Sequence, residues 1–414
     1  MVNIKSFKGL RPVTEKIQEV ASPPYDVLNS KEAKKLAENN PYSFLHIVKP
    51  EIDLEENIDL YSETVYNKGK ENLNNLIKKN ILFQDEKPCF YLYQLIMGDI
   101  KEIGLVAGAS IEDYENGIIK KHEHTRAVKE ADRIKHVDTL NANTGPVFLT
   151  YQAREDMNSL TEELITEKPE YNFTANDGIQ HTFWKIADQE NIEKINDIFH
   201  KIDALYVADG HHRSASGTKV GQIRRKNNPN HTGNEEYNYF LSVIFPHNQL
   251  YIMDYNRVIK DLNGLSEEDF LNKTKEKFEV TEYSNVTSFK PTELHAFGMY
   301  LNGHWYKIVA KDGSFPIDDP VQSLDVAILQ NNLLAPILNI GDPRKDKRID
   351  FVGGIRGLEE LSKRVDVGEA VAFSMFPTSI EQLMAIADAG EVMPPKSTWF
   401  EPKLRSGVIT HLLD

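Results

Sequence analysis

The sequence predicts a mixed α+β fold, with hairpin-joined strands and flanking helices, rather than a doubly wound parallel sheet. Three observations carry this expectation. Apolar stretches of strand length are interleaved with amphipathic stretches of helix length along the whole chain. Neighbouring strand-like stretches are joined too tightly for a helical crossover, as at Gly98-Asp99 and Asn302-Gly303. At 414 residues, 40% of them apolar, the chain is too long for one core of ordinary size and rich enough to build two. A boundary is expected near residue 258. It would divide a catalytic region, 1–258, from a C-terminal α+β region, 259–414, that closes or supports the site.

In chain order, Leu10-Arg11-Pro12 and the stretch from Ala21 to Val27 must be extended, because residues preceding proline avoid the helical region. The proline pair stiffens this loop, holding Tyr25 and Asp26 either as a wall or hydrogen-bonding pair for a ligand or as packed loop residues. Ser30 is the expected N-cap of a short helix over 31–39. Residues 44–48 read as a strand, with His46 a core histidine. The spacing of Leu60, Val65, Leu73, Leu76 and Ile77 predicts an amphipathic helix within 58–79. The single cysteine, Cys89, excludes an intrachain disulfide and reads as core.

Strands over 90–97 and 103–109 form a hairpin, followed by a helix from about 125 to 140 and a turn at 143–146. A strand over 147–151, an acidic helix over 154–168, a strand over 181–186 and a helix over 191–201 come next. Residues 224–235 read as a mobile polar loop that either covers a site or decorates the surface. Strands over 239–245 and 250–255 are expected to pair across Pro246-His247-Asn248. Beyond 258 the pattern predicts a helix over 266–277, a hairpin at Asn302-Gly303, a helix over 321–334 and a strand over 370–376.

Chemistry concentrates in three stretches. In the first, the apolar run 204–208 breaks into Asp209-Gly210-His211-His212-Arg213-Ser214. This reads as strand, turn and helix start, the helix being ended by Asn227-Asn228-Pro229. A helix start attracts anions through its unsatisfied N–H groups and its dipole, so Gly210, Arg213 and Ser214 suit a phosphate cradle, and His211, His212 and Arg213 would crowd donors and positive charge into a phosphate-sized space. The alternative is a capped turn in which the histidines make ordinary hydrogen bonds.

In the second stretch, a helix from about 125 puts Arg126, Lys129 and Arg133 on one face beside His122, Glu123, His124 and Thr125. Three cations there suit phosphate; a solvated helix face is the alternative. In the third, Pro394-Pro395 presents Lys396, Ser397 and Thr398 on a stiff loop, either for a phosphate or as a clasp whose Trp399 and Phe400 plug the core. Arg344 is a weaker candidate of the same kind. His122-x-His124 fits no zincin spacing. A magnesium ion entering with a nucleotide or phosphate would be held by Asp209 or Glu123.

The run from Val207 to Ser216 resembles the signature of the domain-of-unknown-function family numbered 1015. So do Leu10-Arg11-Pro12, Ala21-Ser22-Pro23-Pro24-Tyr25-Asp26-Val27, Asn40-Pro41-Tyr42-Ser43-Phe44-Leu45, His122-Glu123-His124-Thr125 and the stretch from Pro394 to Phe400. More distantly, the Gly-x-His-Arg core is similar to the ParB and sulfiredoxin superfamily, which includes ParB-like kinases of free serine. That resemblance implies a ParB/sulfiredoxin-like core. It also implies serine or phosphoserine as first substrate, with ATP, ADP or pyrophosphate as donor. Sulfiredoxins carry a catalytic cysteine where His211 stands, which sets their chemistry aside.

Charge bounds the partners. The 48 basic and 63 acidic residues leave a net charge of −15, which argues against gripping a nucleic-acid backbone and leaves room for a local basic pocket. The N-terminus lacks the apolar core of a secretory signal, and the apolar runs are too short to span a bilayer, so a cytoplasmic protein without a membrane partner is expected. Together these features predict an enzyme of phosphoryl transfer or phosphate hydrolysis on a small phosphorylated molecule. His211, His212, Asp209 and Glu123 are its candidate catalytic residues, and Arg126, Lys129, Lys396 and Ser397 further phosphate contacts. A nucleotide-binding regulator without turnover, a ParB-like DNA-binding or nuclease protein, and an enzyme passing through phosphohistidine are the alternatives. The oligomeric state is open.

Overall fold

In the computed structural model, which describes residues 1–283 and 287–414, the fold is mixed α+β, as predicted. The chain forms two units, Met1–Leu250 with Pro402–Asp414, and Tyr251–Glu401, where the sequence suggests one division after residue 258.

Runs such as Phe90–Met97 and Ile100–Ser110 are almost continuously buried, so they sit at the centre of a sheet. Among the described residues the first unit's main sheet has nine strands. From one edge the order runs Ile119–Lys120, Leu205–Asp209, Val147–Tyr151, Tyr239–Pro246, Ile100–Ser110, Phe90–Met97, Gln180–Ile186 and Tyr171–Thr174, with Ile4–Lys5 also on Ile100–Ser110. Leu205–Asp209 is parallel to Ile119–Lys120, and Tyr239–Pro246 is parallel to Val147–Tyr151; the other pairs are antiparallel. The core includes Leu105, Leu149, Leu205, Val207 and Ile244.

Helix His211–Asn227 contacts both Tyr239–Pro246 and helix Ala127–Leu140. It comes close because two of its residues have no side chain. A Cβ on Gly221 would lie 2.4 Å from the Tyr237 carbonyl oxygen, and one on Gly217 would lie 2.9 Å from the Phe240 Cβ. Helix Glu63–Lys78 also packs against Ala127–Leu140, with Leu73, Leu76 and Leu140 in one buried cluster. The segment 402–414 is tied in by the pairing of His411–Leu412 with Ala142–Asn143 and by bridges from Thr410 to Leu10 and from Ser406 to Ser22.

Among the described residues the second unit is built on six antiparallel strands in the order Phe278–Tyr283, His304–Ala310, Ala296–Leu301, Val371–Ser374, Tyr255–Ile259, Ile349–Gly353. Its Asn302-Gly303 turn has φ of 46° and 83°, the left-handed pair that a tight hairpin needs.

Several local expectations differ from the structure. Leu45–Val48 is helical, not a strand. Phe44, Leu45, Ile47 and Val48 are all buried, so no alternation could distinguish the two. The cap of the first long helix is Asn29, which forms a capping box with Glu32, so Ser30 is the first helical residue. The stretch 224–235 begins inside the helix, which runs on to Asn227, and Arg224 is clamped on Asp138 at 2.9 Å. Residues 250–255 do not pair with 239–245. Tyr251–Met253 instead pairs with Trp399–Glu401 in the second unit, because a rising apolar run specifies a strand and not its partner. The helix expected over 321–334 is α-helical over Asp325–Leu329 and π-helical over Gln330–Leu334.

Candidate functional site

Leu205–Asp209 and Ile119–Lys120 are parallel neighbours, so the segments that follow them leave the sheet at the same end. The first and second dense stretches therefore meet. The rings of His122 and His211 lie edge to face, 4.4 Å between centroids. The register of the motif strand against Val147–Tyr151 shifts between Val207 and Asp209, an irregularity that re-aims the residues entering the turn. Gly210 caps the helix at φ 95° and ψ 32°, a conformation open to glycine at little cost, and Arg213 and Ser214 both donate their backbone N–H to its carbonyl.

Asp209 anchors the turn. Its Oδ1 accepts the Gly210 N–H at 2.8 Å, and its Oδ2 accepts from Lys403 Nζ at 3.0 Å. Burial opposes its charge, but Lys403 and Arg213 outweigh burial and hold the carboxyl far below the usual carboxylate range. Arg213 donates to the Pro146 carbonyl and to Asp26 Oδ2, the latter at 3.3 Å, and lies 3.9 Å from Asp209 Oδ2. Burial would lower its pKa; Asp26 and Asp209 raise it. Positive charge at the turn thus comes from Arg213 and Lys403.

The histidines bring none. Burial, reinforced by His122, holds His211 well below the ordinary imidazole range. Burial takes His122 down to about 4. His212 is lowered by burial and by Lys129, and its Nε2 accepts the Arg126 backbone N–H at 3.0 Å. His212 is therefore neutral, with its proton on Nδ1. Where the two stretches meet, three buried nitrogens have no hydrogen-bond partner among the described residues: His122 Nδ1, His211 Nε2 and Arg213 Nε. Glu123 Oε2 lies 3.8 Å from His211 Nδ1.

Arg126 is the N-cap of Ala127–Leu140 and lies outside the helix, so the expected face of three cations is reduced to Lys129 and Arg133. Arg133 pairs with Asp132 and stacks over Tyr25, 4.3 Å from its ring, while burial pushes the Tyr25 hydroxyl up to about 12. Tyr25, Arg133, His136, Asn143, Thr144 and Arg213 line a small cavity of about 30 Å³, room for little more than a water. Thr125 donates to Glu130, His124 is exposed, and the Ser214 hydroxyl is turned back on the His211 carbonyl at 3.1 Å.

Lys396 and Ser397 belong to the second unit. There Lys396 lies over the Tyr255 ring at 5.5 Å, and the Ser397 hydroxyl donates to the Pro394 carbonyl at 2.6 Å. The sequence reading missed Lys403. The signal was present in its place in the same proline-flanked stretch, but nothing in the spacing joins it to Asp209. Among the described residues no three His, Cys, Asp or Glu side chains are grouped to hold a metal ion, and Asp209 serves as a partner to Lys403 and the Gly210 N–H rather than as an open ligand. Among the described residues, no helix is long and apolar enough to cross a membrane.

The profile of the family described as Protein of unknown function (DUF1015) matches residues 4–327. No curated protein matches the sequence. Three solved structures share a partial likeness. A free serine kinase in complex with AMP has a TM-score of 0.35 at 15% identity, covering 72% of this chain and 86% of that one. A conserved hypothetical protein from Pyrococcus furiosus has 0.35 at 15%, covering 72% and 90%. SbnI with C-terminal truncation, from Staphylococcus aureus, has 0.37 at 11%, covering 73% and 85%. Likeness at this level carries no functional argument.

Proposed function

This chain belongs to that family of unknown function, and we propose that it is an enzyme of phosphoryl transfer or phosphate hydrolysis acting on a small metabolite at the turn from Asp209 to Ser214. The observation that carries the proposal is the trio of buried nitrogens, two at a helix start and one on the stretch packed beside it, that have no partner among the described residues. An unmade hydrogen bond on a buried polar atom costs about 1–3 kcal/mol, so two in the turn and a third on the stretch beside it are explained by a polar ligand that completes them. A helix of 17 residues begins there, its dipole favouring an anion.

Arg213 is the phosphate's charge partner, and an incoming phosphate competes for it with Asp26, whose contact of 3.3 Å is long enough to yield. His211, neutral at pH 7, accepts the proton of the attacking hydroxyl or water on Nε2 as oxygen bonds to phosphorus and the donor's leaving group departs. Glu123, facing Nδ1, stabilises the imidazolium so formed. Asp209 and Lys403 position the turn. Serine and phosphoserine are the first substrates to test, because the Asp-Gly-His element resembles that of ParB-like serine kinases. A second reading, nucleotide binding without turnover, is favoured by the engagement of both Asp209 oxygens.

The test is phosphate release from phosphoserine, and nucleotide turnover with serine plus ATP, ADP or pyrophosphate, for the wild type, His211→Ala and His212→Ala. Loss of turnover in His211→Ala, with an unchanged melting temperature, supports the base. Wild-type nucleotide binding without turnover replaces the enzyme reading with the regulator. Neither binding nor turnover in the wild type removes both.

A further inference from the structure

In the second unit a cavity of about 280 Å³ is lined by Arg257, Arg344, Gln330, Phe351, Pro394 and Pro395, among others. Arg257 lies on the strand Tyr255–Ile259, between Ile349–Gly353 and Val371–Ser374, and is 3% exposed. Its Nη1 donates to the Tyr255 carbonyl and its Nη2 to the Lys396 carbonyl, the latter at 3.0 Å, and the Phe351 ring lies 5.4 Å from Cζ. A guanidinium has five N–H donors, so most of this one's capacity is unspent.

Other buried arginines each carry an acid. Arg11, 2% exposed, pairs with Asp85 at 2.7 Å, and Arg405 pairs with Asp177. Among the described residues no carboxylate pairs with Arg257. Among the described residues it meets two carbonyls and an aromatic face. Burial without a counter-charge lowers it to about 10, whereas Arg11 is raised. A buried charge lacking its partner is strongly disfavoured unless something supplies the opposite charge.

We propose that this cavity binds a small organic anion, a carboxylate or phosphate on a flat apolar body, with Arg257 as its charge partner. A planar fork with open donors suits bidentate recognition of either headgroup. Phe351, Pro394 and Pro395 supply apolar wall, and the cavity's size is near the lower end of ligand sites, suiting a single-ring molecule. Arg344 and the Asp342 that holds it at 3.0 Å both line the cavity, so this pair adds no net charge and Arg257 remains the charge partner.

The experiment titrates the full chain with benzoate, phenyl phosphate and the neutral benzyl alcohol, by calorimetry and ligand-observed NMR. The expected result is a Kd of about 1 mM or tighter for at least one anion, with benzyl alcohol at least about tenfold weaker. Arg257→Lys keeps the charge and loses the fork, and should weaken the anion by about tenfold or more. The preferred anion identifies the headgroup. Binding by the folded Arg257→Lys within about twofold of wild type places the anion elsewhere and overturns the proposal. If that variant does not fold, the wild type decides. Equal binding of benzyl alcohol, or no anion bound at about 10 mM, refutes the site.

Discussion

Acidification should destabilise the first unit through its buried histidines before its carboxylates titrate. His122 and His136 are 2% exposed and His181 is fully buried. Burial lowers them to about 4, about 3 and about 3, the last with help from Arg405. A histidine depressed in the folded state binds fewer protons than the unfolded chain below its ordinary pKa. Stability is therefore full above about pH 7, falls as pH drops through about 6.5, and levels off below the folded value. At about pH 5 each unfolded histidine gains about 1.5 pH units of protonation advantage, or about 2 kcal/mol, and the three together about 6 kcal/mol. That is comparable with the whole stability of an ordinary domain, about 5–15 kcal/mol. Because two units need not unfold together, the readout is amide hydrogen exchange in Val147–Tyr151 and Leu205–Asp209, compared at about pH 7 and about pH 5 after correction for intrinsic rates. His136→Gln, which keeps a donor for the Ile47 carbonyl now 3.0 Å from Nε2, should remove about a third of the loss. An opening free energy that falls by less than about 1 kcal/mol, or rises, refutes the claim that these imidazoles are held neutral.

Two further substitutions probe the turn. Gly210→Ala forces a Cβ into a left-handed conformation and to within 3.2 Å of the Arg213 Cζ; it should cost about 1–2 kcal/mol, lowering the first unit's melting temperature by about 4 °C, and a melt unchanged by calorimetry would contradict the strain. Lys403→Met removes the ammonium 3.0 Å from Asp209 and should raise the Asp209 carboxyl toward the ordinary range, seen by carbon NMR. The stability this pairing confers is present above about pH 4 and lost as pH falls through the folded value, so the variant's deficit should be about 1 kcal/mol at neutral pH and vanish in acid. An Asp209 carboxyl that stays far depressed would show that Arg213 and the Gly210 N–H suffice.

Much of this fold is legible because local chemistry and tertiary position agree. Asn302-Gly303 specifies its hairpin through positive φ alone, and the glycine of Asp209-Gly210 does the same for the motif turn. Glu63–Lys78 follows from its apolar spacing. Legibility fails where burial is complete or the partner is remote. Leu45–Val48 is apolar all round, so period 2 and period 3.6 look alike. Tyr251–Met253 reads as a strand, but its partner is Trp399–Glu401, nearly 150 residues on. Lys403 is invisible for the same reason. A lysine beside proline predicts nothing until the pairing of His411–Leu412 with Ala142–Asn143 shows that its segment returns to the first unit.

The charges at the turn were the least legible feature, and they matter most to its chemistry. His-His-Arg reads as a crowd of donors and positive charge, since an ordinary histidine titrates close to neutral pH. In the fold His211 and His122 lie edge to face at 4.4 Å in a buried space, and protonating His211 would place a charge beside His122 and Arg213. Neutrality is the cheaper state. A neutral imidazole can accept a proton, which a cation cannot, while Arg213, kept charged by Asp26 and Asp209, remains to meet an anion. On the function proposed above, burial separates a base from the phosphate's charge partner within three consecutive residues, a division that composition hides and the packing of Ile119–Lys120 against Leu205–Asp209 brings about.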